Sequence, residues 1–205
     1  VQDIETSYLL NELKDNDVKS FVNDSMVQIK YMSKTLSDFR NFLKPSTKKV
    51  LFSISKALNE INEIIGKQVF YSNINMSFNY KNENEELLIY GYENEFKQVL
   101  LNIINNAKNK IIEKNLPINK KGSIDINIKR CEESNMIEII DDAGAIDEKI
   151  INSIFEPYFT TKQDGMGLGL YMAKIIIEDK MKGIINVRND ENRVIFTIKL
   201  PHKKA

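Results

Sequence analysis

Residues 141–169 read DDAGAIDEKIINSIFEPYFTTKQDGMGLG. The segment opens on an acidic pair, Asp141 and Asp142, at the end of the apolar run MIEII. A short helix-like stretch follows, then a Phe-rich turn, then a loop carrying Gly165, Gly167 and Gly169. Glycine has no Cβ and tolerates positive φ, so such a loop lets bare backbone approach a phosphate closely. The next residues, LYMAKIIIEDKM, have helical spacing. The loop therefore leads into a helix N-terminus, where free N–H groups and the macrodipole favour an anion. The plainer alternative is a glycine-rich turn before a helix. The dinucleotide-binding fingerprint does not apply: the third glycine falls at 169 rather than 170, and no strand leads directly into the loop.

Around this stretch, residues 46–205 read as mixed α and β. Lys49–Ser53 is a short strand candidate. From Ser53 to Ile65, Ile54, Ala57, Leu58, Ile61 and Ile64 recur at helical spacing, and Gly66 is the expected C-terminal stop. Asn73–Tyr80 alternates as a strand does, Asn82–Glu86 is an acidic turn, and Leu87–Tyr90 is another short strand. Asn94–Lys114 is a strong helix with one stripe through Phe96, Val99, Leu100, Ile103, Ile104, Ala107 and Ile111. Ser123–Lys129 and Met136–Ile140 alternate about the turn Cys131–Asn135 and form a hairpin. After the glycine loop come helix Leu170–Lys180 and strands Ile184–Arg188 and Val194–Leu200. This order predicts an α+β sandwich, a mixed, mostly antiparallel sheet under three helices.

Residues 1–45 carry a different pattern. Val1, Ile4, Tyr8 and Leu9 sit at helical spacing and stop near Lys14–Asp17, polar residues suited to a turn and N-cap. A second run steps by 3 and 4 from Val18 through Phe21, Val22, Met26, Ile29, Met32 and Leu36 to Leu43, and Pro45 ends it. A long helix with one apolar stripe needs a partner. We expect a truncated antiparallel hairpin that dimerises into a four-helix bundle; the alternative is a two-helix extension packed on its own globular domain. The expected domains are thus 1–45 and 46–205. The chain begins inside a helical pattern, which suggests a fragment of something longer.

Composition narrows the function. The formal net charge is zero, with 29 basic and 29 acidic residues in 205, so nothing argues for nucleic acid or an acidic surface. One cysteine, Cys131, excludes an intramolecular disulfide and fits a reducing compartment. No apolar run approaches the roughly 18 residues of a membrane span. His202 is the only histidine, in a basic tail after Pro201, and reads as inert. There is no zinc cluster and no Ser/His/Asp set.

Two further constellations accompany the glycine loop. Asn102 and Asn106 are one turn apart on the 94–114 helix and share a face. Asparagine is a poor helix former, but its amide oxygen can ligand Mg²⁺, which takes few protein ligands beside water and substrate phosphates. The alternative is a solvated helix edge. Asp141, at a strand end, can accept a hydrogen bond from the adenine 6-amino group, whereas guanine would set an acceptor oxygen against it. The alternative is a turn aspartate. Lys162, beside Thr160 and Thr161, could pair with a phosphate as a point charge or be merely exposed.

In this order the pieces resemble the C-terminal part of a sensor histidine kinase of two-component signalling. EFKQVLLNIINNAKN resembles the family's asparagine box, IIDDAGAI its first glycine box, IFEPYFTTK its Phe box and GMGLGLYMAKIII its second glycine box. YMSKTLSDFRNFLKP looks like the end of the second helix of the dimerisation and phosphotransfer hairpin. The resemblance implies a histidine kinase/Hsp90-like ATP-binding fold and ATP with Mg²⁺. Asn102 and Asn106 would face the metal and triphosphate, and Asp141 would read adenine. Ala143, Gly144 and Ala145 would line base and ribose, with Ile146 and Tyr92 packing on the base. Phe155 and Phe159 would anchor the lid, and Thr161 and Lys162 would join the ATP-binding set. Gly165, Gly167, Leu168 and Gly169 would cradle phosphates. It also implies a homodimer through the N-terminal helices, a cytoplasmic response regulator as partner, and a cytoplasmic location with an inner-membrane sensor as one possible parent. No nucleic acid and no direct membrane contact are expected.

The departures carry information too. The family's first glycine box commonly reads Asp-Asn-Gly-x-Gly; here Asp142, Ala143 and Ala145 stand in place of Asn and two glycines, so each alanine adds a methyl at a close-packed spot. The related split-ATPase branch has a water-activating glutamate where this chain has Asn102, which favours a kinase over a hydrolase. The family's acceptor histidine would fall upstream of Val1, so autophosphorylation by this chain alone is not expected. The rivals are a catalytically inactive nucleotide-binding dimerisation module and a split-ATPase hydrolase.

Overall fold

The computed structural model describes residues 14–16, 18–27, 29–30, 46–81, 86–114, 116–117, 120–162 and 165–202. The chain divides into two units, Val1–Lys44 and Pro45–Ala205.

In the first unit, residues 18–27 are helical, as are 15–16 and 29–30. Val18 N–H donates to Lys14 O (3.2 Å), so this helix already begins within the expected Lys14–Asp17 turn. Val18, Val22, Met26 and Ile29, spaced by 4, 4 and 3, are 39–53% exposed, an apolar stripe facing solvent. The first hairpin helix, the second helix beyond residue 30 and the Pro45 stop lie outside the described residues.

The second unit is built on two sheets. Strands β1 (Val50–Ser53) and β3 (Leu88–Gly91) pair antiparallel as a two-stranded ribbon. The main sheet has the order β2-β4-β5-β7-β6, from β2 (Ile74–Tyr80), β4 (Gly122–Arg130), β5 (Ser134–Asp141), β6 (Ile184–Asp190) and β7 (Arg193–Pro201). Only β2 and β4 run parallel; the other neighbours are antiparallel. The sheet is therefore mixed and mostly antiparallel, as the hairpin pattern predicts. The acidic turn does not make β2 and β3 a hairpin, since β3 joins β1 and β2 joins β4. Residues 82–85 of that turn lie outside the described residues.

Helix α1 (Ile54–Tyr71) starts with Ser53 as N-cap, its hydroxyl accepting from Lys56 N–H. It runs through Gly66, the expected stop. The stripe Ile61, Ile65, Val69 continues at four-residue spacing and is at most 4% exposed. That burial outweighs the roughly 1 kcal/mol a mid-helix glycine costs. Helix α2 (Glu93–Glu113) buries its predicted stripe, with Phe96, Leu100, Ile103 and Ile104 fully enclosed. Its first turn is capped from a distance: Asn94 N–H donates to Ser46 Oγ (3.3 Å), and Ser46 N–H donates to the buried Glu95 carboxylate (3.2 Å). Buried Lys97 ties α2 to α1 through Glu60 (2.7 Å). Helix α3 (Gly169–Lys174) continues as a π-helical turn, Ile175–Lys180, in which Met181 N–H reaches Ile176 O (3.0 Å). That turn buries Ile176 and Ile177, which are consecutive in sequence.

The helices cover one face of the main sheet. On β4 and β5 that face is Ile124, Ile126, Ile128, Ile137 and Ile139, all fully buried. The two-residue period puts two polar residues of β5 on the same covered face, Asn135 and Asp141. Asn135 is satisfied by donating to Leu88 O (3.0 Å), which ties the main sheet to the ribbon. Asp141 is the other, and it leads to the site.

Candidate functional site

A cavity of about 550 Å³ opens between α2, the end of β5 and the loops on either side of residue 164. Asn102, Asn106, Asp141, Ala143, Gly144, Ala145, Ile146, Phe159, Thr161, Lys162, Gly165, Gly167, Leu168 and Gly169 all line it. Segments 141–146, 159–162 and 165–169 thus meet across the same space as the asparagine face of α2.

The two asparagines stand on the half-buried edge of α2 because the opposite face is committed to the core. Asn102 Nδ2 is buried and has no hydrogen-bond partner. A buried amide left unpaired costs about 1–3 kcal/mol unless a ligand or water meets it. Gly169 makes room for this amide. A Cβ at 169 would lie 2.5 Å from Asn102 Oδ1 and 2.8 Å from Nδ2, distances that real Cβ contacts do not reach. Asn106 Oδ1 accepts from Lys162 Nζ at 3.3 Å, so one amide oxygen of the pair already faces a cation.

Asp141 is 4% exposed and ends β5 on its covered face. Its cross-strand neighbours are Ile124 and Val194, both apolar. Burial pushes its carboxyl up to about 6; the hydrogen bond from Ala143 N–H to Oδ1 (3.0 Å) and the charge of Lys114 oppose this, and Asp142 adds to it. Asp142 itself turns outward, its Oδ1 accepting from Ser123 N–H (2.9 Å), while Lys114 Nζ donates to Asp142 O (3.0 Å). In the altered glycine box only Gly144 has positive φ, +107°. Ala143 and Ala145 keep negative φ, so the backbone makes no demand for glycine there.

Two expected residues do not reach the cavity. The Phe155 ring packs edge-on against Phe196, centroids 6.4 Å apart, with Lys174 Nζ over its face. Phe196 lines the cavity, so Phe155 supports the wall from behind. Tyr92 lies under Lys49 and Lys180, 5.5 and 5.9 Å from its ring centroid, and is not part of the lining. The stretch 147–155, which looks helix-like in sequence, forms consecutive turns instead. Ile150 N–H and Ser153 N–H bond three residues back, and Ile151 N–H bonds four back. Among the lining residues not singled out in the sequence, Lys110 continues the four-residue step from Asn102 and Asn106 and was legible on that ground. It pairs with Glu113 at 2.6 Å. Val194 and Phe196 enter through strand register, which no local pattern announces.

The cavity has the chemistry of a nucleotide site. It offers a buried carboxylate among apolar walls at one end, and amides, lysines and glycine backbone at the other. No side chain caps the first turn of α3. Among the described residues no group of three His, Cys, Asp or Glu side chains could hold a metal by itself. The amide oxygens of Asn102 and Asn106 are neutral and suit Mg²⁺ as part of a metal–phosphate complex, which is how Mg²⁺ usually binds.

Residues 91–204 match the family described as histidine kinase-, DNA gyrase B- and HSP90-like ATPase. Over 171 residues the chain is 32% identical to sporulation kinase A of Bacillus subtilis (strain 168), covering 82% of this chain and 27% of the kinase. It therefore spans about a quarter of the length of that relative. Among solved structures, the nucleotide-free catalytic domain of histidine kinase ThkA superposes with a TM-score of 0.65 at 30% identity, over 76% of this chain and 96% of that one. ThkA in complex with the response regulator TrrA superposes with a TM-score of 0.62 at 23% identity, over 96% of this chain and 56% of that one, a likeness of fold.

Proposed function

The chain belongs to the histidine kinase-, DNA gyrase B- and HSP90-like ATPase family, and on that premise we propose that residues 46–205 bind ATP with Mg²⁺ and present its γ-phosphoryl group to a histidine in two-component signalling. The observation that carries this reading is the meeting of the Asn102–Asn106 face, buried Asp141 and the glycine loop around one cavity. Its volume, about 550 Å³, lies within the range of small-molecule sites, roughly 300–1,000 Å³.

Each group takes a role from its environment. Asp141 accepts from the adenine 6-amino group, and the Ala143–Ile146 loop lines base and ribose. Asn106 and Asn102 would hold Mg²⁺ through their amide oxygens, and the bound metal would supply charge neutralisation at the triphosphate. Lys162, Thr161 and the backbone of Gly165, Gly167, Leu168 and Gly169 position the phosphates. Phosphoryl transfer asks chiefly for such positioning and charge neutralisation. Phe159 lines the cavity on the side of Thr160–Lys162, and Phe155 backs Phe196 in the wall.

The acceptor imidazole comes from outside the described residues. His202, the only histidine, follows β7 with Nε2 buried, and lines no part of the cavity. The solvent-facing stripe Val18, Val22, Met26, Ile29 supports a homodimer through the N-terminal helices. ThkA forms a complex with a response regulator, which supports such a partner here; an aspartate of that partner as the final acceptor is our reading. Among the described residues no helix is long and apolar enough to cross a membrane; a cytoplasmic catalytic unit is our reading.

Calorimetry with ATP and Mg²⁺ tests binding, and labelled ATP with a histidine-bearing hairpin supplied in trans tests transfer. Saturable, Mg²⁺-dependent binding and label on the hairpin histidine are expected, with binding weakened in Asn106→Asp. Steady phosphate release without transfer would replace the kinase reading with hydrolysis.

A further inference from the structure

Asn189 stands near the end of β6 and lines no part of the cavity. Its side-chain amide nonetheless holds the cavity wall. Nδ2 donates to Ile146 O (2.8 Å), and Ile146 N–H donates to Oδ1 (2.9 Å). These two bonds copy what a paired strand residue would offer, one donor and one acceptor on the same neighbour.

The register explains why the clamp sits there. Asp141 opposes Val194, and Val194 opposes Asn189, so the three form one row across β5, β7 and β6. The loop after Asp141 crosses that row, two strand spacings or about 10 Å, and is caught at Ile146. Its near end is tied as well. Ala143 N–H donates to Asp141 Oδ1 (3.0 Å), and Asp142 N–H extends the ladder to Ser123 O (3.3 Å). Between the ties lie Ala143, Gly144 and Ala145, wall residues with no regular secondary structure of their own.

We propose that Asn189 is a positioning residue for the base-binding end of the nucleotide site: its amide clamp on Ile146 fixes the 142–146 loop and, through the Ala143 N–H, aims the Asp141 carboxylate, and so sets the preference for adenine over guanine. The proposal rests on the nucleotide reading above. Asparagine suits the task because its donor and acceptor leave one planar group side by side. Alanine removes both bonds. Aspartate keeps the size and the acceptor but sets an oxygen against Ile146 O.

The test titrates ATP and GTP by calorimetry into the wild-type chain, Asn189→Ala and Asn189→Asp, with thermal melting of each. Loss of the clamp is expected to weaken ATP by about tenfold, the scale of one to two hydrogen bonds. GTP, which does not use the aimed carboxylate, should stay within about twofold, so the ATP:GTP ratio collapses. General loosening would instead weaken both nucleotides together. A ratio unchanged in either folded variant, while the wild type binds ATP, would overturn the clamp alone. A wild type that binds no ATP would overturn the nucleotide reading and the clamp with it. Should Asn189→Ala fail to fold, the near-isosteric Asn189→Asp decides.

Discussion

The ammonium of Lys162 lies 3.3 Å from the amide oxygen of Asn106, across 56 residues of sequence. The oxygen we assign to Mg²⁺ is thus already met by a cation from the opposing loop. Two cations beside one oxygen repel, so on the proposed assignment a metal–nucleotide complex would displace Lys162 from Asn106 toward the phosphates. Lys162→Met should weaken ATP by about tenfold, the scale of a charged hydrogen bond. It should also speed hydrogen exchange in 159–162 of the nucleotide-free chain. No change in either measurement would remove Lys162 from the site.

The Asp141 carboxyl is pushed up to about 6 by burial. In the proposed role the base is read by the ionised form, so ATP affinity should fall as pH drops below about 6, by up to about tenfold per unit. The nucleotide's own phosphates titrate nearby, but equally for any variant. Asp141→Asn should therefore flatten the difference and relax the ATP-over-GTP preference. Stability runs the other way. A carboxyl raised in the folded state from its ordinary 3.8 contributes stability that is full below about 4 and lost as pH rises through about 6. Melting of the nucleotide-free chain at pH 4–7, compared with Asp141→Asn, reads this directly; parallel curves would contradict it.

Gly169 and Asn102 should behave as a coupled pair. A Cβ at 169 would fall 2.5 Å from Asn102 Oδ1, so Gly169→Ala must push the amide aside at a cost of about 1–3 kcal/mol. Asn102→Ser restores the space. The double variant should recover stability relative to Gly169→Ala yet remain poor at binding Mg·ATP. A double-mutant cycle in chemical denaturation measures the coupling; additive effects would refute the contact.

Lys97, 7% exposed in its side chain, meets Glu60 at 2.7 Å and Glu93 at 3.3 Å. Glu60 is half exposed, so Glu60→Gln should cost only about 1 kcal/mol. Lys97→Met keeps the packing of the stem but leaves Glu60 and Glu93 without their cation; both are partly exposed, so the loss should be about 1–2 kcal/mol. A loss beyond about 3 kcal/mol in urea denaturation would mean that the ion pairs, rather than the packing, hold α1 to α2.

Local pattern carried much of the architecture into the sequence. The β4–β5 hairpin and α2 were legible because burial repeats with the period of the backbone, two in a strand and 3.6 in a helix. The asparagine step, the acidic strand end and the glycine loop were legible because each is a short constellation. Phe155 shows the limit. A ring in the right motif turns toward Phe196 or toward the cavity according to what lies beside it, and Phe196 is 41 residues away. Gly66 shows another, where a strong local stop signal yields to Val69 reaching the core.

What the sequence determined by itself was the set of elements, the family resemblance and most of the residues that line the cavity, since those depend on neighbours within a turn or a strand. Tertiary structure alone decided which strands lie side by side. It set β2 parallel to β4, Asp141 in one row with Val194 and Asn189, Lys162 against Asn106, and Ser46 on the first turn of α2. Those partners are tens of residues apart, and a hydrogen bond acts over about 3 Å whatever the separation along the chain. Only the folded path brings them within that reach.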